Sequence, residues 1–362
     1  MGNRRRAPRR GEGGRDDHEA ATVKTTILVT GANGEIGHGL INHLADVDNV
    51  EIVALDLRPL DGALAKKCIH TAVGDILNAG ILENLSTAHN FGTVYHLAAL
   101  LSTRAERQPV LAHRVNVDGT VNLLEIALTQ ARLQGREIKF VYPSSIAVYG
   151  LPDLDVKSQV GAIGESEWCT PRTMYGINKL YCEQLGGYYA RFYRQLDAEP
   201  RAERVDFRCL RFPGLISAAT LPSGGTSDFA PEMIHAAARG EPYACFVRED
   251  TRIPFMAMPD AVRALLGLEA APAERLSRRI YNVGGFNPSA GELYDLTRRA
   301  FPSAEVSFVP DAKRQAIVDS WPADVDTTAA VRDWGWAPQY TLNGTFEEYL
   351  LPAMRQRYGA SC

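Results

Sequence analysis

Three glycines, each three residues from the next, stand between an apolar segment and an amphipathic segment early in the chain. Gly31, Gly34 and Gly37 follow the apolar run TTILVT (25–30) and lead into the helical pattern HGLINHLADV (38–47). In a strand–turn–helix unit the first glycine permits the tight turn, the second the approach of a pyrophosphate, and the third close helix packing. The free N–H groups of the helix then bind phosphate. An ordinary turn also explains such a triplet, so a second feature is needed.

That second feature is a carboxylate at the end of the next apolar run. Asp56 closes EIVALD (51–56), about twenty residues beyond the glycines, where an acidic side chain binds the adenosine ribose hydroxyls. A carboxylate at this position repels a 2′-phosphate, so NAD is favoured over NADP, although Arg58 would soften that preference. The glycines and Asp56 together predict a dinucleotide site.

Short apolar runs and helical patterns continue to alternate through the first half of the chain. Predicted strands are CIHTAV (68–73), TVYHLAA (93–99), KFVYPSS (139–145) and VDFRCLRF (205–212), with a long helical pattern at 116–132 and another from about 174 to Asp197. This alternation is typical of parallel strands joined by right-handed crossovers. We therefore predict a doubly wound parallel α/β sheet, a Rossmann fold, over residues 24–212.

The second half of the chain has a different rhythm. Proline, glycine and serine cluster after residue 212, and short helices are predicted at 231–240 and 258–271, with a strand near 278–285 and a helix capped by Ser289 and Glu292. Residues 213–362 are expected to form mainly a smaller, mixed substrate domain whose boundaries interleave with the first. Residues 1–23, rich in Arg, Gly and Asp, are expected to form a disordered tail.

Composition excludes several classes of function. The net charge of −4 gives no general attraction to nucleic acid or an anionic membrane, and no apolar run reaches the length of a membrane-spanning helix. The six cysteines are scattered without a Cys-x-x-Cys pair, which favours free thiols in the cytoplasm and no metal site.

A tyrosine and a lysine four residues apart carry the chemistry. Tyr175 and Lys179 lie one turn apart on the same face of a predicted helix. An ordinary tyrosine has a pKa of about 10, and a neighbouring cation lowers it. The pair therefore suits acid–base catalysis near neutral pH.

Several strand ends offer further candidates, because ligands bind at the carboxyl edge of such sheets. Ser144 and Ser145 end one strand, and since side chains alternate along a strand, one of the two must point away. Asp75 and Ile76 would contact the adenine edge, although Asp75 would serve equally well as a helix N-cap.

Asn116 either supports the active-site backbone or caps a local carbonyl. His96 is expected to be a packed strand histidine. The other expected cofactor contacts come from the same loops: Asn33, Ile36, Leu57, Leu97, Ala98 and Ala99.

In this combination of motifs the chain resembles the extended short-chain dehydrogenase/reductases over about residues 25–355. The resemblance implies that Tyr175 exchanges the substrate hydroxyl proton, while Lys179 lowers its pKa and binds the nicotinamide ribose. It also implies that the serine three residues before Val148 of the sequence Val148-Tyr149-Gly150, namely Ser145, fixes the substrate oxygen.

A narrower resemblance rests on TPRTMYG (170–176), RFPGLIS (211–217), GGTSD (224–228), DTRIPFM (250–256), RQAIVDSWPADVD (314–326) and RDWGW (332–336). These segments resemble the short-chain L-threonine 3-dehydrogenase family. This implies NAD-dependent oxidation of a small β-hydroxy amino acid, threonine giving 2-amino-3-ketobutyrate. It places Leu215 at the nicotinamide end and implies a homodimer formed by helices around 106–132 and 174–196. The substrate pocket would be lined by Ser102, Ser145, Tyr175, Thr226 and Asp228, with Asp228 paired to the ammonium; loop capping is the alternative role for Thr226 and Asp228.

Two other functions remain open. A nucleotide-sugar 4-epimerase or dehydratase uses the same triad, and Arg252 and Arg314 are basic residues that a diphosphate-sugar would need. A non-catalytic NAD-sensing regulator is the third possibility. The loop at 151–170 is longer than that of the resembling family, and it borders the expected substrate pocket.

Overall fold

The computed structural model describes Gly2 and residues 24–197, 204–222 and 224–359. The predicted tail, apart from Gly2, lies outside the described residues. The strands in chain order are β1 (Thr25–Thr30), β2 (Val50–Asp56), β3 (His70–Val73), β4 (Phe91–His96), β5 (Ile138–Ser145), β6 (Ala162–Ile163), β7 (Val205–Phe212), β8 (Gly214–Ile216), β9 (Tyr243–Cys245), β10 (Phe255–Ala257), β11 (Ile280–Asn282), β12 (Val306–Phe308) and β13 (Asp324–Val325).

Helices connect these strands. They are α1 (Glu35–Leu44), α2 (Gly62–Ala65), α3 (Ala79–Ala88), α4 (Ser102–Arg107), α5 (Pro109–His113), α6 (Gly119–Gln134), α7 (Leu154–Gln159), α8 (Met174–Arg191), α9 (Phe229–Arg239), α10 (Met258–Ala270), α11 (Ala290–Ala300), α12 (Ala312–Asp319), α13 (Thr328–Trp334), α14 (Leu342–Gly344) and α15 (Leu351–Tyr358). Two π-helical turns (Arg114–Asp118 and Thr345–Leu350) and two 3-10 turns (Ile146–Val148 and Ala273–Arg275) interrupt the series.

Seven described strands form one parallel sheet in the order β11-β7-β5-β4-β1-β2-β3. The chain runs outward from β1 to β3 and then crosses back to β4, so the winding direction reverses beside β1. Every residue of β4 is buried, as expected for a strand covered on both faces. The predicted doubly wound parallel sheet is confirmed, and its reversal point opens a crevice at the carboxyl ends of β1 and β4.

Several predicted boundaries differ from the structure. The strand expected at 93–99 ends at His96, and the Tyr175 helix ends at Arg191 instead of near Asp197. The helix after Asp75 begins only at Ala79, because the Asn78 side chain accepts the free N–H groups of Gly80 and Ile81. Asp75 is therefore not the N-cap. By contrast, Ser289 and Glu292 form the predicted capping box.

The second half of the chain packs beside the crevice as short two-stranded pieces, β8 with β10 and β9 with β12, together with α9 and α11. The division at residue 212 remains a prediction, and two elements beyond it, β11 and α10, belong to the main sheet layer. The 151–170 loop contains α7 and β6, and β6 pairs with β13.

Within the described ranges, no helix is long and apolar enough to cross a membrane. The five described cysteines are free thiols. No described group of three or more His, Cys, Asp or Glu side chains is arranged to hold a metal ion.

Candidate active site

The glycine loop follows β1 and packs backbone against backbone. Gly31 has a left-handed φ of +67°, and a Cβ added there would lie 2.6 Å from the backbone nitrogen of Ala98. A Cβ at Gly37 would lie 2.4 Å from the carbonyl oxygen of Ala32. Only glycine fits either position without a backbone shift. The loop therefore lies directly against the segment after β4, and the N-terminus of α1 faces the crevice.

Asp56 is held rigidly at the end of β2. Its two carboxylate oxygens accept the backbone N–H groups of Asn33, at 2.9 Å, and Arg58, at 3.0 Å. A carboxylate has about four acceptor positions, so it can still accept hydroxyl donors. Leu57 follows and is 66% exposed, which provides an apolar surface beside the carboxylate. The arrangement suits an adenosine ribose.

The opposite wall of the crevice follows β3 and β4. Ile76 is buried against Gly119, and its carbonyl accepts a hydrogen bond from Asn122 at 3.0 Å. Asp75 accepts the N–H of Leu77 at 3.0 Å, which tightens this turn. The expected adenine contacts thus stand on a well-packed loop.

The expected backbone-supporting role of Asn116 is observed. This residue lies in the π-helical turn; its side chain accepts the N–H of Leu100 at 2.7 Å and donates to the Leu100 carbonyl at 3.1 Å. Both bonds hold the segment after β4. His96 is buried between the hydroxyls of Thr30 and Thr120, and burial lowers its pKa to about 3. A neutral, hydrogen-bonded packed histidine is confirmed.

The two strand-end serines take different roles. Ser144 is buried, and its hydroxyl has no partner among the described residues. Ser145 ends β5 and accepts the N–H of Ala147 at 3.2 Å, which starts the 3-10 turn. Ser145 also hydrogen-bonds the Tyr175 hydroxyl. The structure therefore brings Ser145, and not Ser144, to the tyrosine.

Three local contacts bring the start of α8 to this serine. Thr173 caps the helix by accepting the N–H of Gly176 at 3.0 Å, and the N–H of Met174 is bonded by Glu106 at 2.7 Å. A Cβ at Gly176 would lie 2.0 Å from the carbonyl oxygen of Ala147. Glycine next to Tyr175 thus allows α8 to touch the 3-10 turn.

Lys179 is buried beneath the tyrosine. Its ammonium donates to the Pro143 carbonyl at 2.6 Å and lies 4.4 Å from the ring centre of Tyr142 and 5.6 Å from that of Tyr175. Burial lowers its pKa to about 8. At neutral pH most Lys179 side chains are still charged.

The expected lowering of the Tyr175 pKa is not observed in this state. Burial raises the pKa of Tyr175 above its ordinary value, and the hydrogen bond from Ser145 only partly opposes this effect. The physical reason is that desolvation penalises the phenolate, while the Lys179 ammonium points toward the Pro143 carbonyl. Helix spacing alone predicts proximity but not this balance.

A buried ion pair anchors the 151–170 loop behind the triad. Arg211 on β7 forms two bonds to the Glu183 carboxylate on α8, at 2.7 and 2.9 Å, and both side chains are almost fully buried. Arg211 also donates to the Tyr149 hydroxyl and to the carbonyl of Glu165 within the loop. The Glu165 carboxylate pairs with Arg278. This loop is therefore attached to β7, α8 and the approach to β11.

The expected substrate residues converge from both halves of the chain. The Ser102 hydroxyl, at the start of α4, lies 3.0 Å from both the N–H and the hydroxyl of Thr226. Asp228 accepts the N–H of Gly225 at 2.6 Å, so a loop-shaping role is real for Asp228. Since α4 packs against α8, these contacts lie on the tyrosine side of the crevice. Leu215 lies on β8 beside Met256 of β10.

Sequence reasoning missed two residues of this region. Glu35, the first residue of α1, receives a hydrogen bond from Thr220 and faces Asp228 across the crevice; burial and then the Asp228 charge raise its pKa to about 7. Its position inside the glycine motif was the available signal. Glu106, which fixes Met174, had no sequence signal because the contact joins residues far apart in the chain.

The residues fit an NAD-type cofactor. The N-terminus of α1 supplies free N–H donors, Asp56 supplies acceptors, and the buried Ser144 hydroxyl at the carboxyl edge has no partner among the described residues. Gly31 would hold the loop close beneath such a molecule.

Comparison with known proteins gives a consistent result. The model of the NAD dependent epimerase/dehydratase family matches residues 27–284. The mitochondrial L-threonine 3-dehydrogenase of Bos taurus is 33% identical over 326 residues, covering 87% of this chain and 79% of that protein. A solved monomeric L-threonine 3-dehydrogenase from a metagenome (apo form) is 34% identical with a TM-score of 0.79, covering 92% of this chain and 99% of that one.

A second solved structure is the GalE-like L-threonine dehydrogenase from Cupriavidus necator in its holo form. It is 34% identical, with a TM-score of 0.75, and covers 92% of this chain and 99% of that one. The expected resemblance to this group of enzymes is confirmed. The chain belongs to the NAD dependent epimerase/dehydratase family.

Proposed function

We propose that the chain is an NAD-dependent oxidoreductase that converts L-threonine to 2-amino-3-ketobutyrate. The observation that carries the proposal is the hydrogen bond from Ser145 to Tyr175, with buried Lys179 one turn further along α8 and the glycine loop on the facing strand end. Relatives named as L-threonine dehydrogenases, about one third identical over most of the chain, support the substrate.

In this proposal each member of the triad has one task. Ser145 holds the substrate hydroxyl, and Tyr175 takes its proton. Lys179 supplies positive charge below the tyrosine and anchors the nicotinamide ribose. When bound, NAD supplies the acceptor for the hydride that leaves the carbinol carbon. Because burial raises the pKa of Tyr175, oxidation is expected to speed up as the pH rises.

Cofactor choice and substrate orientation follow from two carboxylates. Asp56 accepts the adenosine ribose hydroxyls and repels a 2′-phosphate, which favours NAD over NADP. Asp228 pairs with the ammonium of the amino acid, while Ser102 and Thr226 form the wall beside it. Leu215 would lie at the nicotinamide end.

The test is NADH formation by purified full-length protein with NAD and L-threonine. Tyr175→Phe is expected to lower kcat by about 10²–10⁴-fold, because it removes the proton acceptor. Tyr294→Phe is the matched control: this tyrosine lies on α11, packs against Phe308 and is not one of the proposed site residues, so its replacement should leave kcat unchanged.

Other outcomes would redirect the assignment. Turnover of UDP-glucose without turnover of L-threonine would favour a nucleotide-sugar epimerase. Tight NAD binding without turnover of either compound would favour a regulator. Full L-threonine activity in Tyr175→Phe would remove the proposed mechanism.

We also propose a homodimer formed by the helices around 106–132 and 174–196, which include α5 and α8. Ile177 and Tyr181 are 48% and 53% exposed on α8, and Val110 is 68% exposed on α5. A groove of about 490 Å³ between Pro171 and Leu180 runs along the same surface. Such apolar surface is typical of an interaction site. One similar solved protein is described as monomeric.

Sedimentation velocity at micromolar concentration tests the dimer. The wild type is expected to sediment as a dimer, and Ile177→Glu with Tyr181→Glu as a monomer, because two buried charges would oppose association. Leu154→Glu, an equally exposed apolar residue on α7, should remain dimeric. A wild-type monomer would end this proposal.

The proposed location is the cytoplasm. Five of the cysteines are free thiols, which agrees with a reducing compartment, although the bovine relative is named as mitochondrial. Cell fractionation with an antibody to the chain would decide between these compartments.

A further inference from the structure

A cavity of about 510 Å³ lies next to the proposed substrate residues and has no role in the mechanism above. Its wall includes Arg104 and Arg107 from α4, Arg314 from α12, Glu232 from α9 and Gly224. We call this the arginine cavity. Thr103, also in the wall, follows Ser102 directly, so the two spaces share one side.

The charges around the arginine cavity are unbalanced. The guanidinium groups of Arg104 and Arg107 make no ion pair or hydrogen bond with any other described residue. The Nε of Arg314 is buried without a partner among the described residues, although this guanidinium stacks on Phe246 at 3.1 Å and bonds the Gly225 carbonyl at 3.3 Å. Glu232 is the one acidic residue among the wall residues named above; burial raises its pKa, while the hydrogen bond from Tyr243 and the nearby charge of Arg314 oppose that rise.

We propose that the arginine cavity is an oxyanion-binding site that takes a small dianion of the phosphate or dicarboxylate class. Guanidinium groups bind such anions through paired, charge-assisted N–H···O bonds. A buried donor without a partner is costly, and a ligand oxygen at the Nε of Arg314 would remove that cost. A volume of 510 Å³ is in the usual range of small-molecule sites.

The segment 224–228 connects the arginine cavity to the substrate pocket. Arg314 donates a hydrogen bond to the carbonyl of Gly225, and the N–H of Gly225 donates to Asp228. Thr226 follows and contacts Ser102. An anion that draws Arg314 into the cavity therefore acts on the loop that carries the proposed substrate contacts.

The same chemistry has two possible sources. The dianion is either a free cellular anion or an anionic group at the far end of a substrate larger than threonine. A free anion leaves the KM for L-threonine unchanged or changes kcat through the 224–228 loop. If the anionic group belongs to the substrate, it occupies the mouth of the pocket. Inorganic phosphate and malonate then raise the KM for L-threonine as competitive inhibitors.

Isothermal titration with inorganic phosphate and with malonate, against sodium chloride at matched ionic strength, tests the proposal without requiring turnover. Saturable binding is expected in the wild type and at least tenfold weaker binding in Arg104→Gln with Arg107→Gln. These two residues are exposed, so their replacement should not disturb the fold. Arg314→Gln is the third variant, and its fold is checked by circular dichroism. Arg298→Gln on α11 is the matched control and should bind as the wild type does.

Two results would overturn the site. One is that the heat of titrating phosphate or malonate into the wild-type protein does not exceed the heat of the sodium chloride control. The other is equal binding in the wild type and the double variant, which would place the anion elsewhere. If the protein binds the anions but does not turn over L-threonine, the proposed function is contradicted. The assignment of the arginine cavity as an oxyanion site is then retained.

Discussion

At the scale of single residues, burial controls the electrostatics of the active site. It raises the pKa of Tyr175 and lowers that of Lys179 to about 8. Both shifts disfavour the charged forms, as expected when a group leaves water. A carbonyl, that of Pro143, holds the lysine. Helix spacing alone suggested that Lys179 lowers the pKa of Tyr175. We therefore expect a bound substrate and cofactor to contribute part of that lowering.

Asp56 is predicted to set the choice between NAD and NADP. Asp56→Asn removes the charge that repels a 2′-phosphate, and it also leaves one of the two bonded N–H groups, of Asn33 or Arg58, without its acceptor, because an amide has a single acceptor oxygen. The ratio of kcat/KM for NAD to that for NADP should fall about tenfold, equal to about 1.4 kcal/mol. Steady-state kinetics with both cofactors measures it.

Asp61→Asn is the control for this change. Asp61 lies five positions further along the chain and caps α2 through the N–H groups of Ala63 and Leu64. Asp61→Asn should leave the ratio of kcat/KM for NAD to that for NADP unchanged. An unaltered ratio in Asp56→Asn would show that the carboxylate does not face the ribose.

At the scale of elements, α8 is the part whose position matters most, because it carries Tyr175, Lys179 and Glu183. Its start rests on the 3-10 turn after β5, and its middle is attached to β7 through the Glu183–Arg211 pair. Removing one partner of such a buried pair typically costs about 3–5 kcal/mol. The same pair holds the 151–170 loop, so loop and helix are positioned together.

Gly176→Ala is predicted to displace the start of α8. The new Cβ would lie 2.0 Å from a backbone oxygen, so helix and turn must separate. Activity should fall at least tenfold, since small misplacements of reacting groups are costly, and the melting temperature should fall as well. Turnover assays and calorimetry on the same samples measure both.

Gly187→Ala is the matched control on the same helix. A Cβ at Gly187 meets nothing within 4 Å, so the higher helix propensity of alanine should stabilise the protein by up to about 1 kcal/mol. Equal behaviour of the two variants would contradict the role given to Gly176.

At the scale of the whole molecule, Glu35 connects the phosphate-binding end of α1 to the second half of the chain. Thr220 donates to its carboxyl, Asp228 faces it with a like charge, and Tyr349 is the other titratable group affected by it. Its pKa of about 7 means that the contact between the two halves changes charge near neutral pH.

Because of Glu35, the free energy of unfolding is predicted to fall as the pH rises. Its pKa is 4.5 ordinarily and about 7 when folded, so the stabilisation from the bound proton is complete below pH 4.5 and is lost as the pH rises through 7. Glu35→Gln should match the wild type at low pH and exceed its unfolding free energy at pH above 7, by about 3 kcal/mol.

Urea unfolding across this pH range measures the difference. Glu51→Gln, near the start of β2, where the partly exposed carboxylate pairs with Lys24, is the control and should change stability by less than about 1 kcal/mol at every pH. A pH-independent difference between Glu35→Gln and the wild type would show that Glu35 does not titrate in the crevice.

The sequence by itself determined the local features. The glycine loop, Asp56 at a strand end, the Tyr175–Lys179 spacing and the Ser289–Glu292 cap each depend on a few neighbouring residues and on regular helix or strand geometry. The alternation of strands and helices then specified the parallel sheet, because its crossovers have a fixed hand.

Only the tertiary structure decided the rest. The raised pKa of Tyr175, the contact of Glu35 with Asp228 and the convergence of Arg104, Arg107 and Arg314 on one cavity all depend on residues far apart in the chain. The anchoring of the 151–170 loop by Arg211 is of the same kind. Desolvation and long-range packing control these features, and neither can be inferred from the spacing of residues along the sequence.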